Sequence, residues 1–283
     1  MKERAEVFEV GPRDGLQNEK VMISTTQKVE LVDRLSACGF RRIEVASFVS
    51  PKWVPQMADS AEVLAQILRR ADCSYAALTP NMLGFDGAVA AKADEIAIFA
   101  SASEGFSQAN INCSIAQSIE RFENVIIAAK AVKLPVRGYI SCVTDCPFDG
   151  PTSPTAVASV ASRLRELGCY EISLGDTIGQ GTPQSISEML RAVLDVADAS
   201  MLAGHYHDTG ERALDNIRAS LDLGVRVFDA SVGGLGGCPY APGASGNVAS
   251  EAVVELLHGA GVETGIDLDA LRHVAEFAKT VRS

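Results

Sequence analysis

The sequence has no apolar run that reaches the roughly 18 residues needed to cross a bilayer. It also lacks any dense stretch of Lys or Arg, and 25 basic residues against 36 acidic ones leave a formal net charge of −11. That balance excludes a nucleic-acid surface and an anionic-membrane surface, so an anionic substrate must be held by a local cluster of positive groups. Cysteine is present only as seven scattered residues, at 38, 73, 113, 142, 146, 169 and 238. An odd count with no C-x-x-C pair argues against a disulfide framework and a structural zinc site, and fits a reducing compartment. The segment Met1–Glu6 runs into an apolar strand within about seven residues, which leaves no room for a signal or transit peptide and predicts a cytoplasmic protein. Histidine is scarce, with four residues, and tryptophan occurs once.

What is present is apolar material in short runs. With 283 residues, 47% of them hydrophobic, the chain can bury a large core as a single domain, 1–283. Eight β-branched runs recur, at 7–10, 42–46, 74–79, 95–100, 136–141, 170–174, 201–207 and 226–231. Between them lie helix-period segments such as Val29-Val32-Leu35-Ser36, Ile119-Phe122-Ile126 and Val157-Val160-Leu164-Leu167, most opened by Ser, Thr or Asp caps. Eight βα units at this spacing predict an α/β fold, an eight-stranded parallel β/α (TIM) barrel, with 247–283 as extra C-terminal helices packed on it. A doubly wound sheet would need a nucleotide-type glycine fingerprint after the first strand, and Gly11-Pro12-Arg13-Asp14-Gly15 is not one. In such barrels chemistry sits on the loops that follow the strands, which directs attention to polar residues just past each strand end.

His205-Tyr206-His207 closes the seventh run, and alternation along a strand sends both imidazoles to one side with Tyr206 opposite. H-x-H alone is a short pattern, and two ordinary surface or core histidines account for it equally well. Position favours chelation: Arg13-Asp14 follows the first strand, Asp176 the sixth and Asn247 the eighth, so oxygen ligands can join two imidazoles at one mouth. A mixed nitrogen and oxygen set without thiolate favours a six-coordinate ion such as Mg²⁺ or Mn²⁺. Asp14, Asp176 and Glu44, at the end of strand two, are expected to face one small volume, where Arg13 and a cation relieve their repulsion. Taken singly, Glu44 or Asp176 is more often a cap or a surface partner.

The stretch 233–247 carries six glycines in fifteen residues around one thiol, Cys238. It reads as a phosphate cradle or as a flap that brings Cys238 over the mouth, and the thiol favours the flap. With an ordinary pKa near 8.5, a thiol is protonated at neutral pH and can give its proton to a carbanion. The other cysteines read as small buried hydrophobes, and Trp53 as a packing residue.

Four strings, Glu9–Lys20 (EVGPRDGLQNEK), Ser47–Asp59 (SFVSPKWVPQMAD), Tyr170–Gly179 (YEISLGDTIG) and Gly234–Ala241 (GLGGCPYA), together resemble the 3-hydroxy-3-methylglutaryl-coenzyme A lyase family of metal-dependent barrel lyases, from about residue 7 to about residue 265. The resemblance implies cleavage of 3-hydroxy-3-methylglutaryl-CoA to acetyl-CoA and acetoacetate, as in leucine breakdown and ketone-body formation, by a homodimer. It implies metal ligands at Asp14, His205, His207 and Asn247; among these, the chemistry of removing a hydroxyl proton makes Asp14 or His205 the expected acceptor. It further implies a catalytic cysteine at Cys238, an arginine that steadies the thioester oxygen at Arg13, and supporting acids at Glu44 and Asp176. One departure stands at Gly210-Glu211-Arg212, where the family usually shows an aromatic or basic residue followed by Gly-Gln, and it falls where local substrate contacts are expected.

A related lyase for another 3-hydroxy-3-alkyl or 3-hydroxyacyl-CoA is the more serious rival, since barrel loops change side-chain specificity without disturbing a metal set. A Claisen-type synthase of the same barrel group shares Arg-Asp-Gly and His-x-His, but such proteins resemble each other in a Gly-Glu-Arg string ahead of Gly-Asn, where this chain has Gly-Gly-Cys-Pro-Tyr, and in C-terminal regulatory domains, which these 283 residues are not expected to include. A metal-bearing barrel that binds an acyl-CoA without turning it over is the reading from a different class. For the coenzyme A tail the candidates are Lys20 and Asn110, the latter within Asn110-Ile111-Asn112, both expected on mouth loops; a solvated lysine and a helix-capping turn explain them as well.

Overall fold

The computed structural model describes residues 3–236 and 246–282. Eight strands form one closed parallel barrel: β1 (Glu6–Glu9), β2 (Arg42–Ser47), β3 (Ser74–Leu78), β4 (Glu95–Ser101), β5 (Val136–Ser141), β6 (Glu171–Asp176), β7 (Leu202–Tyr206) and β8 (Val227–Ala230), with β8 paired back to β1. The expected barrel is therefore present, with strand ends moved by one or two residues. Tyr170 falls outside β6, which instead runs on through Asp176, and Met201 belongs to a short 3₁₀ turn. A small antiparallel hairpin, Asp145–Cys146 with Gly150–Pro151, sits in the connection after β5 and was not foreseen.

Alternation along these strands sorts the residues into two layers. Ile43, Val45, Ile172, Leu174 and Phe228 face outward and join the apolar sheath beneath the helices. The opposite parity fills the barrel with aromatic and charged groups: Arg42 ion-pairs with Glu6 and Glu171, and Arg137 with Glu171 and Asp229. Barrels of this type usually pack branched aliphatics inside; here paired charges share the interior with small apolar clusters that include Phe8 and Ala76, and Leu78, Ala97 and Tyr139.

The helices form for local reasons that the sequence displays. Ser24 with Gln27 and Ser114 with Gln117 make reciprocal capping boxes at the starts of α1 (Thr25–Ala37) and of the helix Ile115–Ala131. In α1 the buried face is shifted from the expected one: Lys28, Leu31, Val32 and Leu35 are buried, whereas Val29 is only half-buried. Lys28 is tolerated inside because its ammonium donates to Asp59 Oδ1 at 2.6 Å and to the Gln56 carbonyl. Of the two expected C-terminal helices, Ser250–Gly259 completes the eighth βα unit. Only Leu268–Val281 is supernumerary, packed between that helix and α1. Trp53 does not pack: it is 81% exposed, because its loop after β2 leaves the ring outside the sheath.

The chain leaves β1 in one π-helical turn, Gly11–Gly15, in which the Asp14 and Gly15 amides both donate to the Val10 carbonyl. Gly15 is required there, since a Cβ would lie 2.7 Å from Leu235 Cβ. Glu9 anchors this turn. Its fully buried carboxylate accepts from the Gly11 amide (2.8 Å), the Val232 amide (2.9 Å) and the Ser250 hydroxyl (2.6 Å), joining the loops after β1 and β8 to the start of the last barrel helix.

Burial pushes the Glu9 carboxyl up from 4.5 to about 7 in spite of its donors. A pKa raised on folding adds stability below the unfolded value and loses it as pH rises toward the folded one. Glu9→Gln is therefore expected to gain on the native protein by about 3 kcal/mol between pH 4.5 and pH 7. Urea unfolding of both proteins across that range measures it, and a pH-independent difference would refute it.

Candidate metal centre

Asp14, on the π turn, and His205 and His207, at the end of β7, meet at the C-terminal mouth of the barrel. One ligand atom from each lies within 4.8 Å of the other two. His205 Nδ1 faces Asp229 Oδ2 at 3.0 Å, so Nε2 is the free nitrogen. It stands 4.0 Å from Asp14 Oδ2, too far for a hydrogen bond and suited to two ligands of one ion. His207 meets the backbone of Thr177, while its buried Nδ1 has no partner at all. A buried polar atom without a partner is costly, and a cation would supply one.

Asn247 arrives through backbone pairing, since it bridges His207 in antiparallel fashion and the neighbouring Gly246 carbonyl accepts from the Asp208 amide. Its Nδ2 donates to Asp14 Oδ2 at 2.7 Å, which leaves the amide oxygen free as a donor atom. Two imidazoles, a carboxylate and an amide oxygen fit a hard, six-coordinate divalent ion that keeps positions open for substrate oxygens.

Charge in the site keeps His207 and Asp14 ready as ligands, whereas at His205 burial is outweighed by Asp229 and Asp14, which raise its pKa so that a proton competes with a cation there. Burial and the adjacent His205 push His207 down to about 4, so the ring is neutral and available as a ligand. Burial alone would raise Asp14, but Arg13 and the two histidines outweigh it and hold the carboxyl near 2. Arg13, 5% exposed, is shared between the acids: Nη1 donates to Asp14 Oδ1 at 2.6 Å, Nε to Glu44 Oε2 at 2.6 Å, and Nη2 ion-pairs with that same Glu44 oxygen at 2.5 Å. Glu44 Oε2 also accepts from the Tyr139 hydroxyl at 3.1 Å, while its Oε1 is buried without a partner. The Tyr139 ring stands edge-on to His205, 6.1 Å between centroids, and closes the site from the β5 side.

A family model described as HMGL-like matches residues 4–278 of the chain. The chain belongs to the HMGL-like family. A Pseudomonas aeruginosa relative named 3-hydroxy-3-isohexenylglutaryl-CoA/hydroxymethylglutaryl-CoA lyase is 57% identical over 268 residues, 95% of this chain and 89% of that protein. The crystal structure of the HMG-CoA lyase from Brucella melitensis superposes with a TM-score of 0.98 at 62% identity, covering 99% of both chains. An HMG-CoA lyase from Acinetobacter baumannii, solved in complex with coenzyme A and 3-methylmalate, matches with a TM-score of 0.94 at 38% identity over 99% of this chain and 91% of that one.

Within this HMGL-like barrel, Asp14, His205, His207, Asn247, Arg13 and Glu44 come together as the sequence led one to expect. Asp176 does not join them. It has the outward parity of Ile172 and Leu174, pairs in register with the outward Tyr206, and accepts from Thr144 Oγ1 (2.9 Å) and the Gly181 amide (2.9 Å). Its partners make it a brace between the loops after β5 and β6. Cys238 lies outside the described residues. Lys20 is exposed on the loop after β1, and Asn110 is exposed within a helix, Glu104–Ile111, rather than on a loop; that helix ends on Asn112 in the left-handed region. The departure at Gly210-Glu211-Arg212 spans two loops: the Arg212 guanidinium donates to the Gly181 and Gln180 carbonyls at 3.2 Å each, so it ties the loops after β6 and β7 together. Sequence reasoning missed Asp229, Arg137, Tyr139 and Glu9. The available signal was an ionisable group in the middle of each otherwise apolar strand, which must find a partner inside the barrel.

Proposed function

We propose that the chain is a divalent-metal-dependent lyase that cleaves 3-hydroxy-3-methylglutaryl-CoA into acetyl-CoA and acetoacetate. The observation that carries this reading is Arg13, fixed by two carboxylates beside the Asp14, His205 and His207 trio with guanidinium N–H groups to spare. Asp14, His205, His207 and Asn247 would hold a divalent cation, which when bound would supply Lewis acidity that makes an alcohol more acidic. Asp14 takes the hydroxyl proton, since its Oδ2 faces the two imidazoles and carries a single hydrogen bond, from Asn247, whereas His205 Nδ1 is turned to Asp229. A carboxylate held near pH 2 is a weak base, so the reaction depends on the alcohol being made more acidic.

As the C2–C3 bond breaks, its electron pair becomes the thioester enolate and C3 becomes the ketone of acetoacetate. Arg13 donates to the enolate oxygen, and Cys238 delivers a proton to the enolate carbon to give acetyl-CoA. Lys20 and Asn110 are the candidates for the coenzyme A tail. The chemistry fits either Mg²⁺ or Mn²⁺.

Cys238→Ser is expected to keep Mn²⁺ affinity and the circular dichroism spectrum while turnover drops about 10²-fold, the scale of a lost general acid. Turnover near the native level would remove the thiol from the mechanism. For the function itself, the test is release of acetoacetate from 3-hydroxy-3-methylglutaryl-CoA with Mg²⁺ or Mn²⁺ and with chelator, beside an ester bearing a longer 3-alkyl group. Binding without product would sink the lyase reading. Faster cleavage of the longer ester would favour the second reading, a lyase for a bulkier 3-hydroxyacyl-CoA, which the double name of the Pseudomonas aeruginosa relative supports.

A further inference from the structure

The ion pairs inside the barrel run up to the metal position, and their upper end is Asp229. This carboxylate is fully enclosed and gripped in two-point fashion by Arg137, whose Nη1 and Nη2 donate at 3.0 and 2.7 Å. The guanidinium is itself clamped between the rings of Phe8, 4.3 Å from the centroid, and Tyr139, 4.9 Å. Its Nε is committed to Glu171 at 2.6 Å. Ser173 donates to Asp229 Oδ2 at 2.7 Å, so neither the carboxylate nor its holder has freedom to turn.

The remaining group on Asp229 Oδ2 is His205 Nδ1, at 3.0 Å. We infer that Asp229, locked by Arg137, is the positioning residue of the metal centre: it keeps the hydrogen on His205 Nδ1 and turns Nε2 toward the cation. An imidazole offers one lone pair in its neutral form, and the partner of the other nitrogen decides which one it is. Asp229 touches no substrate and no reacting atom. The arrangement comes from strand pairing alone, because Asp229 and His205 are register partners on adjacent β8 and β7, both on the inward parity. The inference rests on the metal position described above but is tested apart from it.

The test uses Asp229→Asn, Glu171→Gln and the native protein. An asparagine keeps the shape but can offer an N–H to Nδ1, which favours the opposite tautomer with Nε2 protonated. Asp229→Asn is expected to bind Mn²⁺ some 10–100-fold more weakly by electron paramagnetic resonance titration, the usual loss when the group behind a metal-ligating histidine is removed. Glu171→Gln weakens the same ion chain one link further away, so it is expected to lower the thermal midpoint and leave Mn²⁺ affinity within about twofold. In the native protein without metal, the imidazole ¹⁵N spectrum is expected to show His205 protonated at Nδ1. Native affinity in Asp229→Asn, or an equal loss in Glu171→Gln, overturns the inference. So does a native His205 protonated only at Nε2, a measurement that stands even if Asp229→Asn does not fold. Absence of Mn²⁺ binding by the native protein would instead defeat the metal reading itself.

Discussion

Asp14→Asn is expected to leave no measurable turnover, and to do so by removing metal affinity. The side chain has two assignments that no neighbour can take over. Oδ2, 2.7 Å from Asn247 and 4.0 Å from His205, is the only carboxylate oxygen among the described residues facing the two imidazoles, and Oδ1 accepts from Arg13 and Gln17. Asparagine keeps the volume but loses the charge that attracts a divalent ion and the base that takes the hydroxyl proton. Stability also responds, with a sign fixed by the lowered pKa. A carboxyl at about 2 when folded and 3.8 as its ordinary value stabilises the fold above pH 4 and loses that contribution as pH falls through 2. Metal-free Asp14→Asn should accordingly be less stable than the native protein by about 2 kcal/mol at pH 7, with the gap closing below pH 4. Isothermal titration with Mn²⁺ and denaturant unfolding check the two parts separately. Tight Mn²⁺ binding by the variant would move the metal centre elsewhere.

The parts of this site that were legible in the sequence are those that depend on strand ends. His205 and His207 share a face because a strand alternates, and Arg13-Asp14 follows β1, so their meeting at one mouth follows from the barrel alone. Asp176 shows the limit of that reasoning. Strand ends locate a residue only to within one or two positions, and one position decides the face: β6 continues two residues beyond the run 170–174, and the parity of Asp176 turns it toward the helices. The packing expected of Trp53 and the loop placement expected of Asn110 differ for another reason, since a loop's course over the surface and the exact end of a helix depend on tertiary packing rather than on pattern. The interior ion chain was passed over, although each of its strands carried an ionisable group in an apolar run, because charges at Arg137, Glu171 and Asp229 look like solvent-facing alternation on a half-buried strand. Only closure of the barrel makes the polar parity the inside.

Arg13→Gln is expected to damage both stability and rate, and a second substitution separates the two. Glu44 is fully enclosed; Oε2 receives Arg13 and Tyr139, and Oε1 receives nothing. Without the guanidinium its negative charge is buried unpaired, which costs about 3–5 kcal/mol. Burial already raises the Glu44 carboxyl and Arg13 opposes it, so losing Arg13 raises it further. A carboxyl raised on folding stabilises below its unfolded pKa and loses that as pH climbs, so the deficit of Arg13→Gln should be small at pH 5 and large at pH 8. Adding Glu44→Gln removes the stranded charge and should restore most of the stability at pH 8. It should not restore turnover, which is expected to remain down about 10²–10³-fold, the loss seen when a donor to a developing oxyanion is removed. Unfolding midpoints of the single and double variants at both pH values, with acetoacetate release at pH 8, decide the matter. Recovery of turnover alongside stability would mean that Arg13 only neutralises Glu44 and never reaches the substrate.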